Sequence, residues 1–531
     1  MPHAFARADV TAPGRLARLS VAPLFVGVFA AVAASAMADQ PLKILFYRVA
    51  ALALVGVALR SPHPRRVLLF FWTVTLTYNR NYFIEALGNH GSYGLYWSPA
   101  DVFLAALLGL WAFDAAVNKR APVARGPRLW PWFLPFAAGC VLSIFGAAHV
   151  EWTAFELTRV LRVALILCYF RYNVRREDWW ACIAGFACAI LVQSAISVQY
   201  VATGRRFGVT SVLGLTPGAE QLQAAVAGAQ DTLGFRRGEG TLGHPNTLAI
   251  YFLLTGPLFG ALALAARDRR VRWLAAAVGL AALAGVASTL SRTSWVITLG
   301  EMLLLCGLLL ACARLRVRRV AGLAVVGAFL GAIALAPLAP QIQRRFFSNF
   351  RESLDFRTNH GTIAIDIWSR SPLVGVGLNN YSNTLAEYDL PEVEIFLELG
   401  ELARTALGIR STAWVHNIYL LILGETGLIG LAGFIVFLAG AFLLALRGVA
   451  RTSGDVQLVS IGLAVGMVGV YLHGIQESAL WIDPVLYSFA AAIGLAALAV
   501  DCHARSADAP ASLRELAGTP AAAVPSTEAH R

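Results

Sequence analysis

The sequence predicts an all-α polytopic membrane protein with about 12–14 transmembrane helices and a large outer loop, on the strength of three observations. Of its 531 residues, 58% are hydrophobic and only 14% charged, which is too apolar for an ordinary soluble globular chain. Apolar runs of about 18 to 22 residues recur from Leu19 to Val500, each close to the length that crosses a hydrocarbon core. Lys and Arg gather in alternate short connections, as they do in cytoplasmic loops.

Taken along the chain, the fourteen expected spans are 20–38, 43–60, 66–78, 100–117, 130–149, 154–172, 179–201, 245–266, 272–290, 293–312, 318–337, 427–447, 456–474 and 480–500. The basic clusters are Arg60, Arg65 and Arg66; Lys119, Arg120, Arg125 and Arg128; Arg171, Arg175 and Arg176; Arg267, Arg269, Arg270 and Arg272; Arg314, Arg316, Arg318 and Arg319; and Arg447 with Arg451. These connections and both termini read as cytoplasmic, so the formal charge of +12 is a topology signal and no nucleic-acid partner is expected. The short connections facing the other way hold almost no basic residue except Arg80 and Arg292. Two outward connections are long, and the four spans between them put both on one side. The chain then divides into amino-terminal membrane helices (1–201), an outer loop (202–244), core membrane helices (245–337), a large outer loop (338–412), carboxyl-terminal membrane helices (413–500) and a disordered cytoplasmic tail (501–531).

The seven cysteines, Cys140, Cys168, Cys182, Cys188, Cys306, Cys312 and Cys502, fall in expected spans or the tail and imply no disulfide framework. The first span ends in "AVAASAMADQ", which could pass for a signal-peptide cleavage site. The basic segment before it orients an uncleaved span equally well, and that reading is preferred.

Signatures of nucleotide and metal chemistry are missing: there is no G-x-x-x-x-G-K-[ST], no H-E-x-x-H, no Cys-x-x-Cys and no D-x-D. No metal or cofactor is therefore expected, and a nucleotide-driven pump is disfavoured. Polar chemistry collects instead on the outward side. "FRRGEGTLGHPNTLAIYF" leads into the eighth span, and "STLSRTSW" sets Arg292 at an outer turn, either as a snorkelling anchor or as a group awaiting an anion. In the large loop, a helix is expected from about Asp355 to Ser369, stopped by Pro372, and "AEYDLPEVEIFLELGELA" reads as an acidic cap or lid. The loop returns through "AWVHNIYLLILGETGLIGLAGF", which puts His416, Asn417 and Glu425 at the mouth of an apolar run. Arginine and a titratable histidine above an apolar cleft suit an anionic head group on a lipid tail.

The set "GTLGHPNTLA", "LSRTSW", "DIWSRSPLVGVGLNNY" and "HNIYLLILGETGLIGL", in this order and with the large loop before the last, resembles the O-antigen ligase and polysaccharide polymerase superfamily. The resemblance covers about Arg236 to Gly440. It implies a GT-C-like, helical glycosyltransferase of the bacterial inner (plasma) membrane, whose large loop is periplasmic and whose donor is a glycan on undecaprenyl diphosphate. The acceptor it implies is lipid A-core in a ligase, or another lipid-linked repeat unit in a polymerase of O-antigen or exopolysaccharide. Its functional arginines carry over to Arg292, Arg357 and Arg237, with Arg236 as a rival for the last and Arg80 as a weaker match, and its histidine to His416.

Transfer from a diphosphate needs a base for the acceptor hydroxyl and cations for the leaving group, so His416 is the expected base and Arg292, Arg357 and Arg237 the expected diphosphate ligands. Asn417 is a candidate to orient His416, while Glu425 is either a structural hydrogen-bond partner or an orienting residue. His473, in "YLHGIQESALW" with Glu477, is the rival base. Arg159 and Arg162 read as structural partners of Glu156, Arg48 has no named partner, His244 and Asn246 read as capping and packing groups, and His360 as solvated. A transporter or lipid-linked glycan flippase is the rival class, but its sites usually sit at the midplane between repeated halves, whereas these groups crowd one face.

Overall fold

The computed structural model describes residues 54–79, 82–87, 93–118, 127, 129–204, 236–318, 343, 350–385, 387–388 and 415–507. The expected span 20–38, residues 319–337 of the expected span 318–337, most of 43–60, Arg48, Arg80, residues 205–235 of the first outer loop, most of the acidic stretch of the large loop and most of the tail lie outside these residues.

Helix α1 (Pro64–Thr75) opens on a proline in its first turn, where a missing N–H costs nothing. An antiparallel hairpin follows, β1 (Tyr82–Leu87) and β2 (Tyr93–Trp97), with Tyr82 opposite Trp97. This hairpin is the one departure from the all-α expectation among the described residues. Its aromatic and β-branched side chains favour strand over helix in a segment too short to span. Then come α2 (Pro99–Asn118), α3 (Trp130–Leu142) with a 3₁₀ turn to Gly146, α4 (Val150–Tyr172), α5 (Trp179–Thr203), α6 (Pro245–Ala265), α7 (Arg269–Ser288) and α8 (Arg292–Ala311). The large loop contributes α9 (Phe350–Arg370) and the short α10 (Tyr381–Leu385). The carboxyl-terminal group is α11 (Ile418–Arg451), α12 (Gly454–Gly474), a 3₁₀ turn (Ala479–Trp481) and α13 (Asp483–Ala507).

Eight of the described helices, α2, α5, α6, α7, α8, α11, α12 and α13, are long and apolar enough to cross a membrane. With α1, α3 and α4 at three further expected positions, the chain is an all-α polytopic membrane protein. Helices α6, α12 and α13 form its centre, while α7 and α8 turn Trp273, Leu274, Leu280, Val296 and Leu303 outward, as lipid-facing helices do. Because lipid is as apolar as the core, helices associate here through close packing. Gly462 and Gly466 of α12 supply it: a Cβ on either would come within 2.3 Å of the α6 backbone.

Two details of this scaffold position the site. First, α11 is broken at Gly427, whose φ of 64° and ψ of −167° are open essentially to glycine alone. The break frees backbone groups, and the stretch after Pro372 satisfies them: Leu428 N–H donates to Pro372 O at 2.9 Å and Ile429 N–H to Leu373 O at 3.2 Å. In return, Val376 and Gly377 N–H each donate, at 3.0 Å, to the carbonyls of Gly424 and Glu425. Irregular backbone of this kind survives among membrane helices only where protein encloses it. The expected span 427–447 is therefore the inner half of α11, and Ile418–Thr426 is a separate outer piece.

Second, Arg159 is 1% exposed and pairs with both Glu156 and Asp483. Tyr96 Oη donates to Asp483 Oδ2 at 2.7 Å and Trp481 Nε1 to Glu156 Oε1 at 2.9 Å, while Arg162 pairs with Asp101 at 3.2 Å. The structural pairing expected of Arg159 with Glu156 is thus extended across α4, β2 and the start of α13. His360 corrects the sequence reading: it is buried, because α9 packs that face on α11.

Candidate functional site

The site forms where four connections meet at one end of the bundle. The entry to α6 brings Arg237, His244 and Asn246; the turn from α7 to α8 brings Thr289 to Thr293; α9 brings Arg357; and the approach to α11 brings His416. Between them runs the link from α12 to α13, residues 475–482, which carries Gln476 and Glu477.

His416 Nδ1 lies 2.6 Å from Glu477 Oε1. The other oxygen of Glu477 accepts from Asn246 Nδ2 at 2.5 Å, Asn246 Oδ1 accepts from Arg237 Nη2 at 2.9 Å, and Arg237 Nε donates to the Thr289 carbonyl at 3.0 Å. Glu477 is buried, which by itself would push its carboxyl pKa up. The His416 hydrogen bond and the surrounding histidines outweigh burial and hold it down at about 2, so it is a carboxylate at any physiological pH. With Nδ1–H donating to that carboxylate, the Nε2 of a neutral His416 is a proton acceptor on a ring fixed in one orientation. The His416 side chain is 30% exposed and so remains reachable from outside the bundle.

Arg357 Nη1 donates to Gln476 Oε1 at 3.2 Å, and Thr293 Oγ1 donates to the same oxygen at 3.0 Å. Thr293 follows Arg292 at the start of α8, and the Arg292 and Arg357 guanidiniums are near enough to bear on each other. Arg237 and Arg357 both act on His244 as well, so these two arginines share one field. Two guanidiniums that bear on the same region suit a multiply charged anion.

The expected residues thus divide. Arg237, Arg292, Arg357 and His416 come together, whereas the Arg236 guanidinium lies against Gly204 at the end of α5. Asn417 caps α11, its Oδ1 accepting from the N–H groups of Tyr419 at 2.9 Å and Leu420 at 3.1 Å. Glu425 sits in the break of α11, where it accepts from Tyr381 N–H at 3.4 Å. His473 is buried between α8 and α12, its Nε2 3.1 Å from Ser294 Oγ, whereas His416 is partly exposed. His244 caps α6 as expected, accepting from Asn246 N–H at 3.2 Å, but Asn246 does more than pack, since it bridges Arg237 and Glu477. Sequence reasoning missed Gln476 and the role of Glu477. The available signal was an adjacent amide and carboxylate in a short link between two apolar spans, where neither has a packing use.

Among the described residues, no group of three or more His, Cys, Asp or Glu side chains is arranged to hold a metal ion. Residues 275–435 match a family model described as O-Antigen ligase. No curated protein matches the chain. The matched segment contains Arg292, Arg357 and His416, while Arg237 and Asn246 precede it and Gln476 and Glu477 follow it. On this match, which agrees with the motifs in the sequence, the chain is a multi-pass membrane protein that carries an O-antigen ligase domain across residues 275–435.

Proposed function

We propose that this protein is an inner-membrane glycosyltransferase of the ligase type, moving a glycan from undecaprenyl diphosphate to a hydroxyl of a lipid A-core acceptor on the periplasmic side. The observation that carries the reading is the His416–Glu477 pair at 2.6 Å, with Gln476, the neighbour of Glu477, accepting from Arg357 and from Thr293 beside Arg292. His416 Nε2 takes the acceptor proton as the acceptor oxygen bonds to the anomeric carbon. The bond from that carbon to the diphosphate oxygen breaks, and Arg292 and Arg357 hold the charge that gathers on the departing diphosphate. Glu477 fixes the imidazole ring and stabilises the imidazolium. Arg237 acts through Asn246, keeping Glu477 in place at its second oxygen. In this scheme the arginines do what a bound cation does in metal-dependent transferases, so no metal is required.

Deleting the gene and analysing the glycans tests the proposal. Loss of long glycan from lipid A-core, with lipid-linked polymer accumulating, is the expected outcome. Accumulation of single lipid-linked repeat units would identify a polymerase instead, and unchanged glycans would refute both.

A further inference from the structure

We infer that Gln476 is a positioning residue for the anion site, aiming the Arg357 guanidinium through its amide oxygen while leaving that guanidinium's charge uncancelled. The inference rests on the reading that Arg292 and Arg357 bind a diphosphate, and goes beyond it by assigning what fixes them.

Arg357 projects from α9, in the large loop, whereas Arg292 starts α8 in the bundle. For both to grip one anion, α9 must be held in register with α8. Gln476 Oε1 makes such a connection: it accepts from Arg357 Nη1 at 3.2 Å and from Thr293 Oγ1, next to Arg292, at 3.0 Å. The backbone beneath it is set. Gln476 N–H donates to the His473 carbonyl at 2.9 Å, continuing the end of α12. Further along the link, Trp481 N–H donates to Ser478 O at 2.9 Å and the Trp481 indole to Glu156 in the buried ionic network.

The choice of an amide is chemically specific. A carboxylate would orient a guanidinium more strongly, but would also neutralise it and compete with an incoming phosphate. The link does contain a carboxylate, Glu477, and it is spent on His416, one residue further along. Adjacent residues therefore serve different halves of the reaction: a neutral acceptor for the anion-binding arginine, and a charged one for the base.

A purely structural staple and a positioning residue make opposite predictions for Gln476→Glu. A staple tolerates it, because an Arg357–Glu pair joins α9 to α8 at least as well. A positioning residue fails, because the pair removes positive charge from the site. The test uses full-length protein in nanodiscs, with undecaprenyl diphosphate and inorganic pyrophosphate as separate probes, and records melting temperature for each variant. Gln476→Glu is expected to weaken both probes by about tenfold or more without lowering the melting temperature, and to flatten the salt dependence of binding. Gln476→Ala, which loses aim but not charge, is expected to weaken them by roughly three- to tenfold. Arg357→Ala is the control for the underlying reading: if it leaves binding of both probes unchanged, Arg357 is not a diphosphate ligand and the functional proposal fails at that point. If Arg357→Ala weakens binding but Gln476→Glu binds within about twofold of wild type, the inference about Gln476 is overturned while the functional reading stands. An effect confined to the lipid probe would also overturn it, since Gln476 would then be reading the lipid and not the diphosphate.

Discussion

Replacing Glu477 with Gln keeps the shape of the side chain and removes its charge, which isolates what the carboxylate does for His416. The carboxyl is held at about 2 against an ordinary 4.5. At about 1.4 kcal/mol for each tenfold change in equilibrium, its surroundings favour the ionised form by roughly 3 kcal/mol, against the cost of burial. If the imidazolium formed during transfer draws on most of that interaction, Glu477→Gln should lower kcat by about 10²-fold. KM for the lipid-linked donor should change little, since Glu477 does not face the arginine pair. Stability has a matching signature. A carboxyl held below its unfolded value adds stability that is full above about pH 4.5 and is lost as pH falls toward 2, so melting temperatures recorded from pH 7 to 3 should fall more steeply for wild type than for the Gln variant. Purified enzyme assayed across pH tests both. A Gln variant with wild-type kcat would refute the His416–Glu477 mechanism.

His416→Ala should insert normally and lose transfer by about 10²- to 10⁴-fold, while His473→Ala, at a buried interface, should mainly lower the melting temperature; the reverse pattern in a transfer assay would make His473 the base. Arg292→Lys and Arg357→Lys keep charge but lose the planar fork, so donor turnover should drop sharply in both, and full activity in Arg292→Lys would return that residue to the role of interface anchor. The wild type should keep its activity in EDTA, and a loss restored by magnesium would end the arginine-only scheme. Gly427→Ala should cost about 1 to 3 kcal/mol in backbone strain and add a clash, since its Cβ would stand 2.3 Å from the Leu373 carbonyl carbon. Detergent-extracted yield and melting temperature would register it, and a variant as stable as wild type would contradict the break in α11.

The sequence made the membrane fold legible because a spanning helix has to be apolar for its whole length, a constraint visible without any partner. The expected spans 179–201, 245–266 and 293–312 fall within a few residues of α5, α6 and α8. What was not legible depends on partners far along the chain. Gly427 looks like one more glycine in "GETGLIG", and only the segment after Pro372, brought beside it, shows why the helix stops there. His360 reads as solvated on an isolated loop helix and is buried because α9 lies on α11. The site divides in the same way. His416, Arg292, Arg357 and Arg237 stand out as polar groups at the ends of apolar runs. Glu477 reads only as a neighbour of His473 in "YLHGIQESALW", because its two partners, Asn246 and His416, are 231 and 61 residues away. The hairpin Tyr82–Trp97 was missed for another reason: it is part of a connection, where hydrophobic length carries no information.

The interrupted α11 restricts how this chain could be recombined with a related one. Both sides of its break are completed by hydrogen bonds with residues 372–377, some fifty positions earlier in the chain, so the two segments are one structural unit written in two places. A chimera that exchanged the whole large loop would import foreign backbone against Gly424, Glu425, Leu428 and Ile429, and would put the integrity of the membrane helix at risk. Junctions placed after Leu385 and before Val415 leave both halves of that unit with the host, together with the Tyr381 N–H that donates to Glu425 in the break. They give a defined window in which loop sequence could be exchanged on a scaffold that still closes.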